Sequence, residues 1–141
     1  MTVNDNTVAR PRGHPDYAKT LPCAAESAEP ARQLVRTALR AWGLERLEDD
    51  GALVVTELVA NAARHTNGIM IRVCVSRPTD DQVRIGVVDR SKIRPERRQV
   101  GDLSESGRGL TMVESVTDHW GTDLLPFGKR VWGVLKGDPV E

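Results

Sequence analysis

The residues best suited to chemistry lie in three short stretches. In Glu57-Leu58-Val59-Ala60-Asn61-Ala62-Ala63-Arg64-His65 the polar side chains Glu57, Asn61 and His65 recur at every fourth position. On an α-helix that spacing sets them on one face, a turn apart. A carboxylate and an amide projecting together can hold magnesium, which takes oxygen ligands and keeps several waters, and can orient a hydroxyl or a water. The same spacing also fits the solvated face of an ordinary amphipathic helix. Asp89 ends the apolar run Val83 to Val88, directly before a polar segment, and a strand-end carboxylate there can face a ligand pocket. In Glu105-Ser106-Gly107-Arg108-Gly109-Leu110 the glycines lead into a helix-forming run. Glycine lets backbone approach a phosphate closely, and the first amides of a helix point at the anion. Taken alone, Gly-x-Gly is equally a flexible loop or a plain helix start.

These groups need elements to hold them. A helix over 48–65 carries the first stretch: Leu53, Val54, Leu58 and Ala62 form its apolar stripe, and Asn67-Gly68 stops it. An earlier helix places Leu34, Val35, Ala38, Leu39 and Trp42 at helical spacing, with Ser27 as its expected N-cap and Gly43 as its end. Leu21 and Cys23 suit a short first strand. Ile69, Ile71, Val73 and Val75 alternate with Met70, Arg72 and Cys74, and Val83, Ile85 and Val87 repeat the alternation, so two strands join through Arg77-Pro78-Thr79-Asp80-Asp81. Arg90 to Ser106 is too polar for a core and reads as a mobile lid, about 90–108. Gly109 to Thr117 suits a short helix. Trp120 to Leu125 and Val131 to Leu135 suit a last hairpin, turning through Pro126-Phe127-Gly128-Lys129. The order implies a two-layer α/β sandwich with helices on one face of a mixed, mostly antiparallel sheet. Trp42, Trp120 and Trp132 read as packing residues, and His65 as a group at the helix C-terminus, where a cation meets the dipole favourably.

A chain of 141 residues closes one core. The polar segment 1–16, with Pro11, Gly13 and Pro15, reads as a flexible arm, and 17–141 as the folded domain. Lysine plus arginine and aspartate plus glutamate balance at 20 each, so no overall field favours nucleic acid, and direct nucleic-acid binding is not expected. Cys23 and Cys74 form no ligand pattern and read as buried free thiols in a reducing compartment. No apolar run is long enough for a membrane span and Met1 to Gly13 lacks a signal-like apolar centre, so a cytoplasmic location is expected.

In this order and spacing the three stretches resemble the GHKL ATPase superfamily, which includes gyrase, histidine kinases and mismatch-repair ATPases. Glu57 to Asn61 looks like its N box, Asp89 like its adenine-binding aspartate and Gly107-Arg108-Gly109 like its second glycine box. The likeness is greatest to the anti-sigma-factor serine kinases of Gram-positive bacteria, through Glu57-Leu58-Val59-Ala60-Asn61-Ala62 and through Ser106-Gly107-Arg108-Gly109-Leu110-Thr111-Met112-Val113-Glu114. It spans about Leu21 to Leu135 and implies a Bergerat-type ATP-binding fold.

The resemblance implies ATP and Mg2+ between sheet and lid. Asn61 would coordinate the metal, Asp89 would accept from the adenine amino group, and the Gly107–Leu110 segment, Arg108 and Gly109 included, would hold the phosphates. Glu57 would be the general base toward a partner serine or threonine. The implied partners are an anti-anti-sigma (STAS-type) protein and, exclusively of it, a sigma factor; a homodimer is also implied. Three positions depart from the family pattern. Arg90-Ser91-Lys92-Ile93 replaces the glycine box after Asp89, Glu105 stands where a basic lid residue is common, and Arg130 stands where a threonine is expected before Val131-Trp132. Two functions follow from one pocket: a protein serine/threonine kinase, or a nucleotide-binding switch that sequesters a sigma factor or another regulator without catalysis. A histidine-kinase catalytic fragment fits less well, because it needs a dimerising helical hairpin with a phosphoacceptor histidine, and no segment before Leu21 is long enough.

Overall fold

The computed structural model describes residues 7–8, 16–65, 70–90 and 112–137. The strands are β1 (Thr7–Val8), β2 (Asp16–Pro22), β3 (Met70–Thr79), β4 (Gln82–Asp89), β5 (His119–Leu125) and β6 (Gly128–Lys136), and the long helices are α1 (Ala28–Ala41) and α2 (Glu48–His65). Residues 112–116 add a short helix, α3. The strands form one sheet in the order β1-β2-β3-β4-β6-β5, and every pairing among the described residues is antiparallel. α1 packs on β2 and β3, and α2 on β4 and β6, which is the two-layer α/β sandwich that the element order implies.

Alternation along the strands decides which face the helices cover. Ile71, Val73 and Val75 on β3 and Val83, Ile85 and Val87 on β4 are buried, whereas Arg72, Cys74, Arg84 and Val88 on the opposite face are half-buried. The helices answer with Leu34, Val35, Ala38 and Leu39 from α1 and Val54, Val55, Leu58 and Val59 from α2, all in one core. Each such leucine or valine contributes roughly 1.5–3 kcal/mol by leaving water, so the layer contact is what holds α2 against the sheet.

Local signals set the helix ends, with one difference. Gly43 adopts φ 73, and the Gly43 amide donates to Arg40 while the Leu44 amide donates to Leu39 at 2.8 Å. This closes α1 with a left-handed glycine and the paired bonds of a Schellman turn. Ser27 does occupy the N-cap position of α1 but makes no side-chain cap bond; its hydroxyl donates to the Pro22 carbonyl instead, tying the helix start to the end of β2. The bounds of α2 fall at Glu48 and His65, as the periodicity predicts.

Other boundaries move outward from the sequence-based expectation. β2 begins at Asp16, and Thr7–Val8, inside the segment read as an arm, pairs with Tyr17 and Asp16. β3 runs through Arg77 and Pro78 to Thr79, with a shift of register between Ser76 and Thr79 that accommodates a proline lacking an N–H. The last hairpin turns through Pro126 and Phe127 alone, and Gly128 and Lys129 belong to β6. Cys23 and Cys74 are free but half-buried, not buried as expected. Trp42 meets Tyr17 edge-on at 5.6 Å and, with Trp120, packs on the core. Trp132 lies on the open face beneath the Arg84 guanidinium, 5.2 Å from its ring centre. Among the described residues no helix is long and apolar enough to cross a membrane.

Candidate functional site

The site grows from one row across the sheet. Leu21, Ile71, Asp89 and Lys129 stand opposite one another on β2, β3, β4 and β6. Directly opposed residues project to the same face, and all four are buried, with Asp89 at 1% and Lys129 at 3% exposure. The apolar pair extends the core, and the charged pair ends it. Lys129 Nζ donates to Asp89 Oδ2 at 2.8 Å, a charge-assisted bond at the strong end of the range.

Backbone geometry holds this pair in place. A Cβ on Gly128 would lie 1.9 Å from the Asp89 carbonyl oxygen, so only glycine lets the start of β6 come this near to β4. The close approach fixes Lys129 opposite Asp89.

α2 brings the second group of residues. It is 18 residues long, about 27 Å at the usual rise. Near its start, Gly51 lies against Val35, Leu39 and Ile85. Near its end, the Cys23 thiol donates to the Ala62 carbonyl at 3.7 Å. That thiol lies within the electrostatic reach of both Asp89 and Lys129: burial and the Asp89 carboxylate raise its pKa, and Lys129 lowers it in part. Cys23 therefore joins the last turns of α2 to the charged end of the sheet row.

Within those turns Asn61 is 8% exposed and Glu57, one turn earlier, is half-buried. A merely solvated helix face would leave Asn61 open to water. No hydrogen bond joins its amide to another described residue, and its amide atoms are not among the fully enclosed polar atoms left without a partner. A ligand bound at this end of α2 would find in the Asn61 amide both donors and an acceptor. Among the described residues no cluster of three or more histidine, cysteine, aspartate or glutamate side chains could hold a metal ion. A magnesium ion fits this donor set only when shared, with one or two protein oxygens and phosphate oxygens as its ligands.

Of the residues that the sequence singles out, Glu57, Asn61 and Asp89 are thereby placed, the last two as buried polar groups on α2 and at the end of β4. Gly107, Arg108, Gly109, Leu110 and the lid segment after Arg90 lie outside the described residues, as does the side chain of His65. Arg130, the residue singled out for standing in place of a threonine, projects to the open face and donates to Asp123 Oδ2 at 2.8 Å. Its neighbour Lys129 is the one that meets Asp89. Strand parity was the signal that could have found it: counted back from the buried Val131, the side chain on the core side is Lys129.

Comparison with known proteins adds the family. The model of the histidine kinase-like ATPase domain matches residues 21–132, which takes in every described part of the site. No curated protein matches. Among solved structures, the crystal structure of the RsbU and RsbW domains of Rv1364c from Mycobacterium tuberculosis is similar with a TM-score of 0.58 at 19% identity. The similarity covers 90% of this chain and 34% of that one, and at this identity it shows a shared fold.

Proposed function

The chain belongs to the histidine kinase-like ATPase domain family, and on that premise we propose that it binds ATP with magnesium between α2 and the Asp89 end of the sheet and phosphorylates a serine or threonine of a partner protein. The observation that carries this reading is the buried Asn61 amide, left without a partner among the described residues one turn from a half-buried carboxylate. Bound MgATP would supply the transferable phosphoryl group and the charge neutralisation around it. Asn61 would lend its amide oxygen to the metal, and Asp89 would accept from the adenine amino group. The backbone of Gly107 to Leu110 would hold the phosphates, with Arg108 beside them offsetting Glu105. Glu57 would orient the partner hydroxyl and take its proton. In this reading residues 17–141 are the nucleotide-binding domain, 90–108 its lid and 1–16 an arm. It acts in the cytoplasm as a homodimer on an anti-anti-sigma (STAS-type) protein, with a sigma factor as the competing partner.

One observation favours the second reading, a switch without catalysis. Asp89 already holds a buried ammonium, so the adenine contact has a competitor, and a nucleotide could govern partner binding without efficient transfer. Incubation with ATP labelled at the terminal phosphate and with candidate anti-anti-sigma partners separates the two. Label moving to a partner serine or threonine supports the kinase. A partner that is retained but never labelled supports the switch.

A further inference from the structure

We propose that Lys129 is a specificity-determining residue that works with Asp89 to read the base, and that it admits 6-oxopurines such as guanine alongside adenine. The inference rests on the nucleotide site proposed above, and it concerns a residue to which that reading gives no role.

A carboxylate standing alone at the base accepts hydrogen bonds and cannot donate them. It suits the exocyclic amino group of adenine and repels the oxygen that guanine carries at the same position. In this chain the carboxylate does not stand alone. Lys129 Nζ lies 2.8 Å from Asp89 Oδ2, and both residues are almost wholly buried. A donor and an acceptor therefore sit side by side at the sheet end where the proposed site would hold the base.

That pair is complementary to two different purine edges. Adenine presents an amino donor next to the N1 acceptor, so Asp89 would take the amino group and Lys129 would donate to N1. Guanine and hypoxanthine present the O6 acceptor next to the N1–H donor, so Lys129 would donate to O6 and Asp89 would take N1–H. The two arrangements differ by a small slide of the ring along the pair. Pyrimidines, being smaller, would lose the ring contacts on the apolar neighbours Leu21 and Ile71.

The state of Lys129 supports a ligand-directed role. An ammonium carries more N–H donors than one carboxylate oxygen can take, and Asp89 Oδ2 is the one acceptor it meets among the described residues. Its remaining donors are held away from bulk water. A buried ion pair is weak evidence for added stability, so structural need alone is a poor account of it.

The test is competition binding of ATP, GTP and inosine triphosphate, with cytidine triphosphate as control, all with magnesium, on the wild-type chain and on Lys129→Thr. For the wild type the expected result is GTP and inosine triphosphate within about tenfold of ATP. In Lys129→Thr the gap to ATP should widen by about tenfold or more, the scale of one lost or repelled hydrogen bond. A wild type that prefers ATP by more than about a hundredfold over both 6-oxopurines overturns the inference, as does an unchanged ratio in the variant. Should Lys129→Thr fail to fold, the wild-type series decides alone. Tight ATP binding with strict adenine preference would remove only the role of Lys129, whereas no nucleotide binding at all would remove the underlying site as well.

Discussion

Lys129 and Asp89 meet across β6 and β4 at 2.8 Å with side-chain exposures of 4% and 2%, a full ion pair enclosed at the end of the core. Removing one partner takes a charge-assisted bond away from a buried charge, which typically costs about 3–5 kcal/mol, whereas replacing both by apolar groups is often close to neutral. Lys129→Met should therefore lose about 3 kcal/mol in urea unfolding. Asp89→Leu with Lys129→Met should lose clearly less than the two single changes added together. Strict additivity would mean that the pair is not coupled.

Gly128 and Gly86 make a matched pair of tests on the same two strands. A Cβ at Gly128 would strike the Asp89 carbonyl at 1.9 Å, whereas one at Gly86 would meet Arg130 and Trp132 side-chain atoms at 3.5 Å. Gly128→Ala should destabilise by about 2–3 kcal/mol through forced displacement of backbone, and Gly86→Ala by under about 1 kcal/mol. Equal unfolding midpoints for the two variants would contradict the close approach of β6 to β4.

Cys23 offers a probe beside the Asp89–Lys129 pair. Its thiol pKa is raised by burial and by Asp89 and lowered in part by Lys129, and the thiolate is the reactive form. Alkylation by iodoacetamide at pH about 8 should be slower than for an unhindered thiol and slower still in Lys129→Thr, where the cation that favours the thiolate is gone. Saturating MgATP should protect it further. Unchanged alkylation on adding nucleotide would place the ligand away from Cys23.

The acid side of the stability profile follows from Glu48 at the start of α2. Arg40 donates to it at 2.7 Å, and this hydrogen bond and charge hold its carboxyl below the ordinary value of 4.5. A carboxyl with a lowered folded pKa adds stability above its unfolded pKa, and that stability is lost as pH falls through the folded value. Glu48→Gln should therefore melt below the wild type at neutral pH, and the two should converge only below pH 4.5. A constant difference down to strongly acid pH would show that the effect is not electrostatic.

Legibility from sequence varied with how local the deciding signal was. α2 was readable to its ends because its apolar stripe and the polar residues at every fourth position lie within the segment itself and the Asn67-Gly68 signal follows it directly in sequence. Asp89 was readable as a strand end. Lys129 was not, because Gly128-Lys129 has the composition of a turn, and what places the lysine in a strand is a partner 40 residues away. A boundary moved by one residue also exchanges faces in a strand, and Arg130, next to Lys129, points to the open side. The hydroxyl of Ser27 shows the same limit: its type and position fit a cap, but the Pro22 carbonyl captures it.

The central claim is an ATP site assembled from Asn61 and Asp89, and calorimetric titration with ATP in the presence and absence of magnesium tests it most directly. The wild type should bind with a clear dependence on magnesium, because in the proposed site Asn61 would share the metal with the phosphates. Asn61→Ala should lose that dependence. Asp89→Ala should weaken binding by about tenfold to a hundredfold, the scale of a charged hydrogen bond. No heat and no thermal shift for the wild type at millimolar-scale MgATP, or equal affinity in all three proteins, would contradict the account.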